Sequence, residues 1–332
     1  MTGALPPMER TRVPRKLASY ASLGGVYGAD APSGALLRST FTANQIRGAM
    51  DFADVRRLTI VALFSDDQLF EQIVLKGGNA LNLVYGLSPR TSLDLDFSME
   101  SDFTDLDDTR KRIFRAVKER FSSEGLVVFD ESFEPKPQVP GPNQPPWWGG
   151  YELRFKLIEE VRYKALGGSL EALRRNALVV GPEQQRKFSV DISKYEYCEG
   201  SVERELDSYT IYVYSPEMIV VEKLRAICQQ MPEYSLRNQP SARARDFYDI
   251  WRVMTATSLN LATPEIIELA SHVFAAKKVP LALLGKVRDQ REVHRPDWHA
   301  VVSAVAESLN DFDFYFDFVV ERVAALETLW VE

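Results

Sequence analysis

In the stretch "VLKGGNALNLVYGLSPRTSLDLDF", residues 74–97, an apolar run leads into the glycine pair Gly77 and Gly78, the polar Asn79, and then two aspartates one residue apart, Asp94 and Asp96. Alternate side chains of a β-strand point the same way, so Asp94 and Asp96 are expected to project together while Leu93, Leu95 and Phe97 turn into a core. Two carboxylates held that close repel unless positive charge lies between them. A hard divalent cation such as Mg²⁺ suits them, because it takes oxygen ligands and is typically held by one or two carboxylates plus substrate phosphates. The glycines supply the complementary half. With no Cβ, Gly77 and Gly78 let backbone N–H groups approach a phosphate, and the helix that follows points its positive end at the same anion.

Each part alone has an ordinary explanation. An Asp-x-Asp pair is more often a set of surface carboxylates, and Gly-Gly before a helix is more often a tight turn. Their conjunction, with apolar residues on both sides of each aspartate, points to a nucleoside triphosphate bound together with its metal. Softer metal chemistry has few ligands to draw on: Cys198 and Cys228 lack a C-x-x-C spacing, and His272, His294 and His299 are the three histidines of the chain. Any metal here is expected to be oxygen-bound.

The elements that must position these groups are legible in outline. Residues 1–35, rich in Pro, Gly, Ser and Ala, show no sustained period and read as a mobile or loosely docked arm. A helix is expected over 43–64, with Ile46, Met50, Ala53, Leu58 and Val61 at helical spacing, followed by a strand around 71–76, the glycine turn, a short helix and the strand "LDLDF". An amphipathic helix over 107–123 and the strand "GLVVFDESF" come next, and then the loop "EPKPQVPGPNQPPWWGG", whose prolines and glycines exclude regular structure. Trp147 and Trp148 in that loop either stack on a base or anchor the loop to the core. Two further strands, "YELRFKLI" and "KFSVDISKYE", flank a helical segment, and "YTIYVY" is the last strand expected. Ser215 followed by proline opens "SPEMIVVEKLRAICQQ" with a helix-start signature, and only helices follow. The expected organisation is therefore a mixed α/β (α+β) domain over 36–214 and a helical domain over 215–332 that contributes to the site.

Four blocks in this order, "LKGGNALNLVYG…RTSLDLDF", "VDIS", "EKLRAI" and "RARDFYDIW", resemble the AbiEii/AbiGii toxin family, which includes the mycobacterial MenT toxins, within the DNA polymerase β-like nucleotidyltransferase superfamily. The likeness spans about residues 72–252. It implies a polymerase β-like sheet with flanking helices. It further implies that Asp94 and Asp96 hold catalytic Mg²⁺ (or Mn²⁺), which neutralises the triphosphate and activates the attacking hydroxyl. Asp191 is implied as a third metal carboxylate, against the plainer reading of a strand-end aspartate that begins a turn. Lys223 sits beside the apolar stripe of Val220, Val221, Leu224 and Ile227, where spacing alone suggests that it snorkels to solvent. The resemblance instead brings it to the nucleotide phosphates, with Asp246 orienting it or handling a proton. Arg245 and Asp249 stand at i, i+4 and explain one another as an ordinary salt bridge. Lys76 and Arg90 are further phosphate candidates that read equally as strand-end and turn residues. One departure from the superfamily's pattern is Asn79 where serine is common; its amide is still able to donate to a phosphate.

On this resemblance the chain is a toxin of a toxin–antitoxin system that passes a nucleoside monophosphate from an NTP to the 3′ end of tRNA, blocking aminoacylation. A helix-turn-helix antitoxin and a role in phage defence belong to the same implication. Two rivals stand beside it: transfer to a protein hydroxyl or to a small molecule such as an aminoglycoside, and a non-catalytic binding module. The intact aspartate pair counts against the last. The net charge of −7 over 332 residues argues weakly against nucleic acid, yet the charge is uneven. Residues 100–108 and the C-terminal tail are acidic, whereas 154–187 carries Arg154, Lys156, Arg162, Lys164, Arg174, Arg175, Arg186 and Lys187, a candidate grip for the tRNA acceptor stem. No apolar run reaches the roughly 18 residues that cross a bilayer and no secretory segment opens the chain, so a cytoplasmic protein without a membrane partner is expected.

Overall fold

In a mixed seven-stranded sheet of order β3-β4-β5-β2-β1-β7-β6, the strands β1 (Val74–Lys76), β2 (Leu95–Ser98) and β5 (Phe188–Ser193) lie at the centre. The others are β3 (Leu126–Lys136), β4 (Gly150–Glu159), β6 (Ser201–Leu206) and β7 (Tyr209–Tyr214). The pairs β1/β7 and β2/β5 are parallel, and every other pair is antiparallel. This computed structural model describes residues 50–88, 94–141, 144–145, 147–181, 184–236, 240–305 and 307–331. The arm 1–35, the beginning of the helix expected over 43–64, Leu93 and Arg90 lie outside the described residues.

The central strands are two-faced because their sequences alternate. Leu95 and Phe97 of β2, and Phe188, Val190 and Ile192 of β5, are buried, while Asp96 and Asp191 occupy the intervening positions. The helices α1 (Phe52–Ser65) and α4 (Leu106–Ser122) cover the apolar face. Phe64 of α1 lies 6.0 Å from Phe97, and Phe121 of α4 lies 5.7 Å from Phe155 of β4. Ile113, Val117 and Phe121 are the buried stripe of α4, as their spacing predicts. The helix α1 starts at Phe52, behind a reciprocal cap between Asp51 and Asp54. A short helix α2 (Asp67–Gln72), capped by Asp66, leads into β1.

After β1 the chain turns through α3 (Gly77–Asn79), which widens into a π-turn over Ala80–Val84. The helices α5 (Glu160–Ala165) and α6 (Leu170–Asn176) fill the connection between β4 and β5. From Pro216 onward the chain is helical: α7 (Pro216–Cys228), α8 (Ala244–Thr257), α9 (Pro264–Ala276), a 3₁₀ segment (Leu281–Asp289), α10 (Arg291–His294), α11 (Trp298–Ala304) and α12 (Phe312–Val323). Ser215 caps α7 through its side chain with proline inside the first turn, as its sequence signature requires. Aromatic packing joins the later helices, with Phe247 of α8 stacked 5.2 Å from Phe316 of α12. Asp51–Glu332 is one compact unit, and the expected change at 215 marks where strands give way to helices inside it. The segment "PLALLGKVRDQ", expected as an α-helix, is mainly the 3₁₀ segment. Among the described residues no helix is long and apolar enough to cross a membrane.

Candidate functional site

The glycine turn is shaped by what stands next to it. Gly77 has φ +73°, a left-handed value, and a Cβ built there would lie 2.9 Å from Oδ2 of Asp96. The turn brings the first N–H groups of α3, which a helix start leaves without intrahelical partners, against the carboxylate strand. Lys76 at the end of β1, Asp96 on β2, Asp191 on β5 and Glu152 on β4 then follow one another in register across four adjacent strands.

Asp94 lies immediately before β2 and is exposed, whereas Asp96 within the strand is half-buried. Both carboxyls are pushed up, first by desolvation and next by neighbouring charge. For Asp94 that charge is mainly Asp191, and for Asp96 the opposing pull of Lys76 is outweighed, leaving it at about 6. Such a pair favours a hard cation beside it. Among the described residues, however, no three His, Cys, Asp or Glu side chains are grouped to hold a metal. Asp191 is instead held by Lys136, whose Nζ donates to both carboxylate oxygens at 2.8 and 2.7 Å.

Asn79 requires a correction. Its side chain is fully buried, its amide donates to the Asp94 carbonyl at 2.6 Å, and its own oxygen accepts from Arg56 at 2.7 Å. The side chain is thus not offered to a phosphate; it fixes the backbone at Asp94 from behind the turn. That is why asparagine, with a donor and an acceptor on one short side chain, occupies the position.

The helical half closes the site. Lys223 of α7 is buried, and its Nζ donates to Asp246 at 2.9 Å and to Asp249 at 2.8 Å, both on α8. The side chain therefore does not snorkel to solvent, and Asp249 is drawn to it as well as standing one helical turn from Arg245. Burial opposes its charge, but the two aspartates outweigh burial and raise its pKa. Burial likewise opposes ionisation of Asp246, and Arg243, Lys223 and Arg245 more than compensate, holding it well below the usual carboxylate range. Arg243 also ion-pairs with Asp246 through Nε, and its backbone N–H donates to Nδ1 of His294 at 3.1 Å.

These groups meet in one cavity of about 260 Å³. Its walls are Lys76, Gly77 and Gly78 from the turn, Asp94, Asp96 and Asp191 from the strands, Glu222 and Lys223 from α7, and Arg243, Arg245 and Asp246 at the start of α8. Every sequence-derived site residue within the described residues, Asn79 excepted, is among them. Arg243, Arg245 and Glu222 join the cavity beyond the residues that the sequence points to. All three lie inside the motif blocks "EKLRAI" and "RARDFYDIW", so the signal was present and a salt-bridge spacing obscured it. Lys76 reaches Glu196 at 3.6 Å. Burial opposes its charge, and Glu196, Glu222 and Asp96 together raise its pKa.

The proline-rich loop is docked on the helical half. Lys278 Nζ lies 4.9 Å from the Trp147 ring, Lys277 Nζ 5.9 Å from Trp148, and Trp148 packs 6.1 Å from Tyr234. Both tryptophans thus anchor the loop, and Trp148 also lines a cavity.

The basic segment 154–187 is less available than its composition suggests. Arg174 and Lys156 both bind Asp130, Arg154 pairs with Glu152, Lys164 with Glu160 and Arg175 with Glu171. Arg162 binds Asn176, and Arg186 the carbonyl of Ala177. Most of the segment's cations thus have partners within the fold, although Lys164, Arg174 and Arg175 remain exposed.

Residues 59–318 match the family described as nucleotidyl transferase AbiEii toxin, type IV toxin–antitoxin system. Among solved structures, JHP933 from Helicobacter pylori shares 16% identity, covering 83% of this chain and 90% of its own, with a TM-score of 0.44. An antigenic nucleotidyltransferase-like protein from Paracoccidioides brasiliensis shares 15% identity over 76% of this chain and 95% of its own, with a TM-score of 0.33. No curated protein matches.

Proposed function

The chain belongs to the AbiEii nucleotidyltransferase toxin family of type IV toxin–antitoxin systems, and from that premise we propose that it transfers a nucleoside monophosphate from an NTP to a hydroxyl at the 3′ end of tRNA. The observation that supports this most is the convergence of the Gly77–Gly78 turn, the Asp94/Asp96 pair and the Lys223–Asp246 pair on one cavity. The triphosphate lies against the glycine turn, where backbone N–H groups and Lys76 meet its charge.

The donor set fits a divalent cation, because it is hard, anionic, and raised in pKa by burial and mutual repulsion. Asp94 and Asp96 would hold Mg²⁺ or Mn²⁺, which when bound supplies charge neutralisation at the phosphates and a more acidic hydroxyl. The acceptor oxygen bonds to the α-phosphorus, the bond from that phosphorus to the α–β bridging oxygen breaks, and pyrophosphate leaves with the electron pair. Asp191, one strand over from Asp96 and steadied by Lys136, receives the hydroxyl proton. Lys223 adds fixed positive charge to the phosphate cradle while Asp246 and Asp249 hold it in place. Tailing the tRNA end would block aminoacylation, and a cognate antitoxin, with its helix-turn-helix domain, would be the natural counterweight.

A second acceptor class keeps the chemistry and changes the hydroxyl: a protein or a cationic small molecule such as an aminoglycoside. The net charge of −7 favours a cationic small acceptor. Incubation of each α-³²P-labelled NTP with Mg²⁺ and purified tRNA, protein extract or aminoglycoside separates the two. Label on tRNA with wild type and none with Asp96→Ala is the expected result. Label confined to protein or aminoglycoside would overturn the tRNA assignment.

A further inference from the structure

A second cavity, of about 360 Å³, adjoins the first and shares Lys76, Asp191, Glu222 and Arg243 with it. It draws Asp191, Ile192 and Ser193 from "VDIS", Glu222 and Arg225 from "EKLRAI" and Arg243 from "RARDFYDIW", and adds residues that no motif contains, among them Lys136, Trp148, Glu196 and Lys277. Its remaining wall comes from the β4 and β5 ends (Gly150, Tyr151, Ile192 and Ser193), from Trp148 of the proline-rich loop, and from α7 and the end of α9 through Arg225 and Lys277.

Three observations characterise what it would hold. First, five cations (Lys76, Lys136, Arg225, Arg243 and Lys277) face three carboxylates (Asp191, Glu196 and Glu222), so the lining has an excess of positive charge. Glu196 already absorbs much of it, with Arg225 at 2.8 Å, Lys277 at 3.5 Å and Lys76 at 3.6 Å. Lys277 is nonetheless lowered to about 8, first by burial and then, despite Glu196, by Arg225 and Lys76. Second, Arg225 is 2% exposed and its Nε is buried without a hydrogen-bond partner among the described residues. Third, Trp148 supplies an aromatic wall, packed 6.1 Å from Tyr234 and 5.9 Å from the Nζ of Lys277, which also lines the cavity and donates to the Lys194 carbonyl at 2.6 Å.

Position decides which substrate this is. In-line displacement places the attacking oxygen opposite the leaving pyrophosphate. The glycine turn follows β1, the aspartate pair lies on β2, and the second cavity opens beyond them along β5 and β4. An acceptor reaching the α-phosphorus from the side away from the glycine turn would come from this cavity. Resting on the transfer reaction proposed above, we propose that the second cavity receives the terminal nucleotide of a polynucleotide acceptor, with its base against Trp148 and its phosphate among Arg225, Arg243 and Lys277. Base–aromatic stacking and a short cationic cleft grip a single-stranded end without an extended basic face.

The test is binding, measured apart from catalysis. A fluorescent single-stranded oligoribonucleotide is titrated by anisotropy against wild type, Trp148→Ala, Trp148→Phe, Lys277→Met and Asp96→Asn, and binding of each Mg²⁺–NTP is measured on the same proteins, with thermal melts as the folding check. Trp148→Ala and Lys277→Met should weaken oligoribonucleotide binding tenfold or more with NTP affinity within twofold of wild type. Trp148→Phe should retain most of it, and Asp96→Asn should lose NTP instead. Loss of NTP rather than oligoribonucleotide in the cavity variants would make this a donor pocket and overturn the proposal, as would no change in either ligand or no oligoribonucleotide binding by wild type. Oligoribonucleotide binding that obeys these expectations without any nucleotide transfer would leave the subsite standing and sink the transfer reaction.

Discussion

A Cβ at Gly77 would stand 2.9 Å from Oδ2 of Asp96, so the glycine turn and the carboxylate on the neighbouring strand are fitted to each other. Gly77→Ala also forces an L-residue into φ +73°, which costs about 1–2 kcal/mol by itself. The expected outcome is a small loss of stability in a denaturant melt and a fall in nucleotide transfer of 100-fold or more. Transfer within threefold of wild type would show that the close approach is not needed.

Asp96 contributes to stability with a sign opposite to most carboxylates. Its folded pKa is about 6 against an ordinary value of 3.8, so the native state binds the proton more tightly than the unfolded chain does. In metal-free buffer its ionisation therefore costs stability increasingly as pH rises from about 4 through 6, and the cost is full above 6. Asp96→Asn should raise stability at pH 8 by about 1–3 kcal/mol, since a two-unit shift corresponds to about 2.7 kcal/mol and Asp96 keeps some solvent. The gain should vanish near pH 4. Urea melts of both proteins at the two pH values, in EDTA, check this.

Lys223 neutralises two buried carboxylates, so its removal is structural before it is catalytic. Lys223→Met should cost about 3–5 kcal/mol, the range for removing one partner of a buried ion pair. Lys223→Met combined with Asp246→Asn and Asp249→Asn should recover much of that stability without recovering transfer. Recovery of transfer in the triple variant would deny Lys223 a role at the phosphates.

Asn79 acts on Asp94 through the backbone. Asn79→Ala leaves the buried Arg56 without its 2.7 Å acceptor and frees the Asp94 carbonyl, with an expected cost of about 1–3 kcal/mol. A phosphate-binding side chain would show its loss mainly in KM for NTP. A positioning side chain should show it in stability and kcat, and steady-state kinetics alongside a urea melt distinguishes the two.

What was legible in the sequence was what is local. Gly77, Gly78, Asp94 and Asp96 lie within one turn and two adjacent strands, and alternation alone places Leu95 and Phe97 inward. Lys223 and Asp246 are 23 residues apart, and only the family resemblance joined them before the 2.9 Å contact did. Lys136, Glu196 and Arg225 reach the cavities by tertiary folding, which no spacing encodes. β6 escaped because "SVEREL" is an edge strand with exposed charges at Glu203, Arg204 and Glu205 and too little apolar alternation to signal a strand. The partners of the basic segment are hidden from sequence for a related reason. Asp130, the partner of both Lys156 and Arg174, sits on another strand and is distant in sequence.

The in-register row of Lys76, Asp96, Asp191 and Glu152 ties the cavity to the folding of the sheet. Sliding β2 by one residue would carry Leu95 and Phe97 into water and drive Asp96 into the hydrocarbon interior, because a strand's two faces exchange with each such step. The pairing that buries the core is the pairing that aligns the charged row. A shifted register would spoil the core and scatter the charged row in the same step, so any folded molecule carries both.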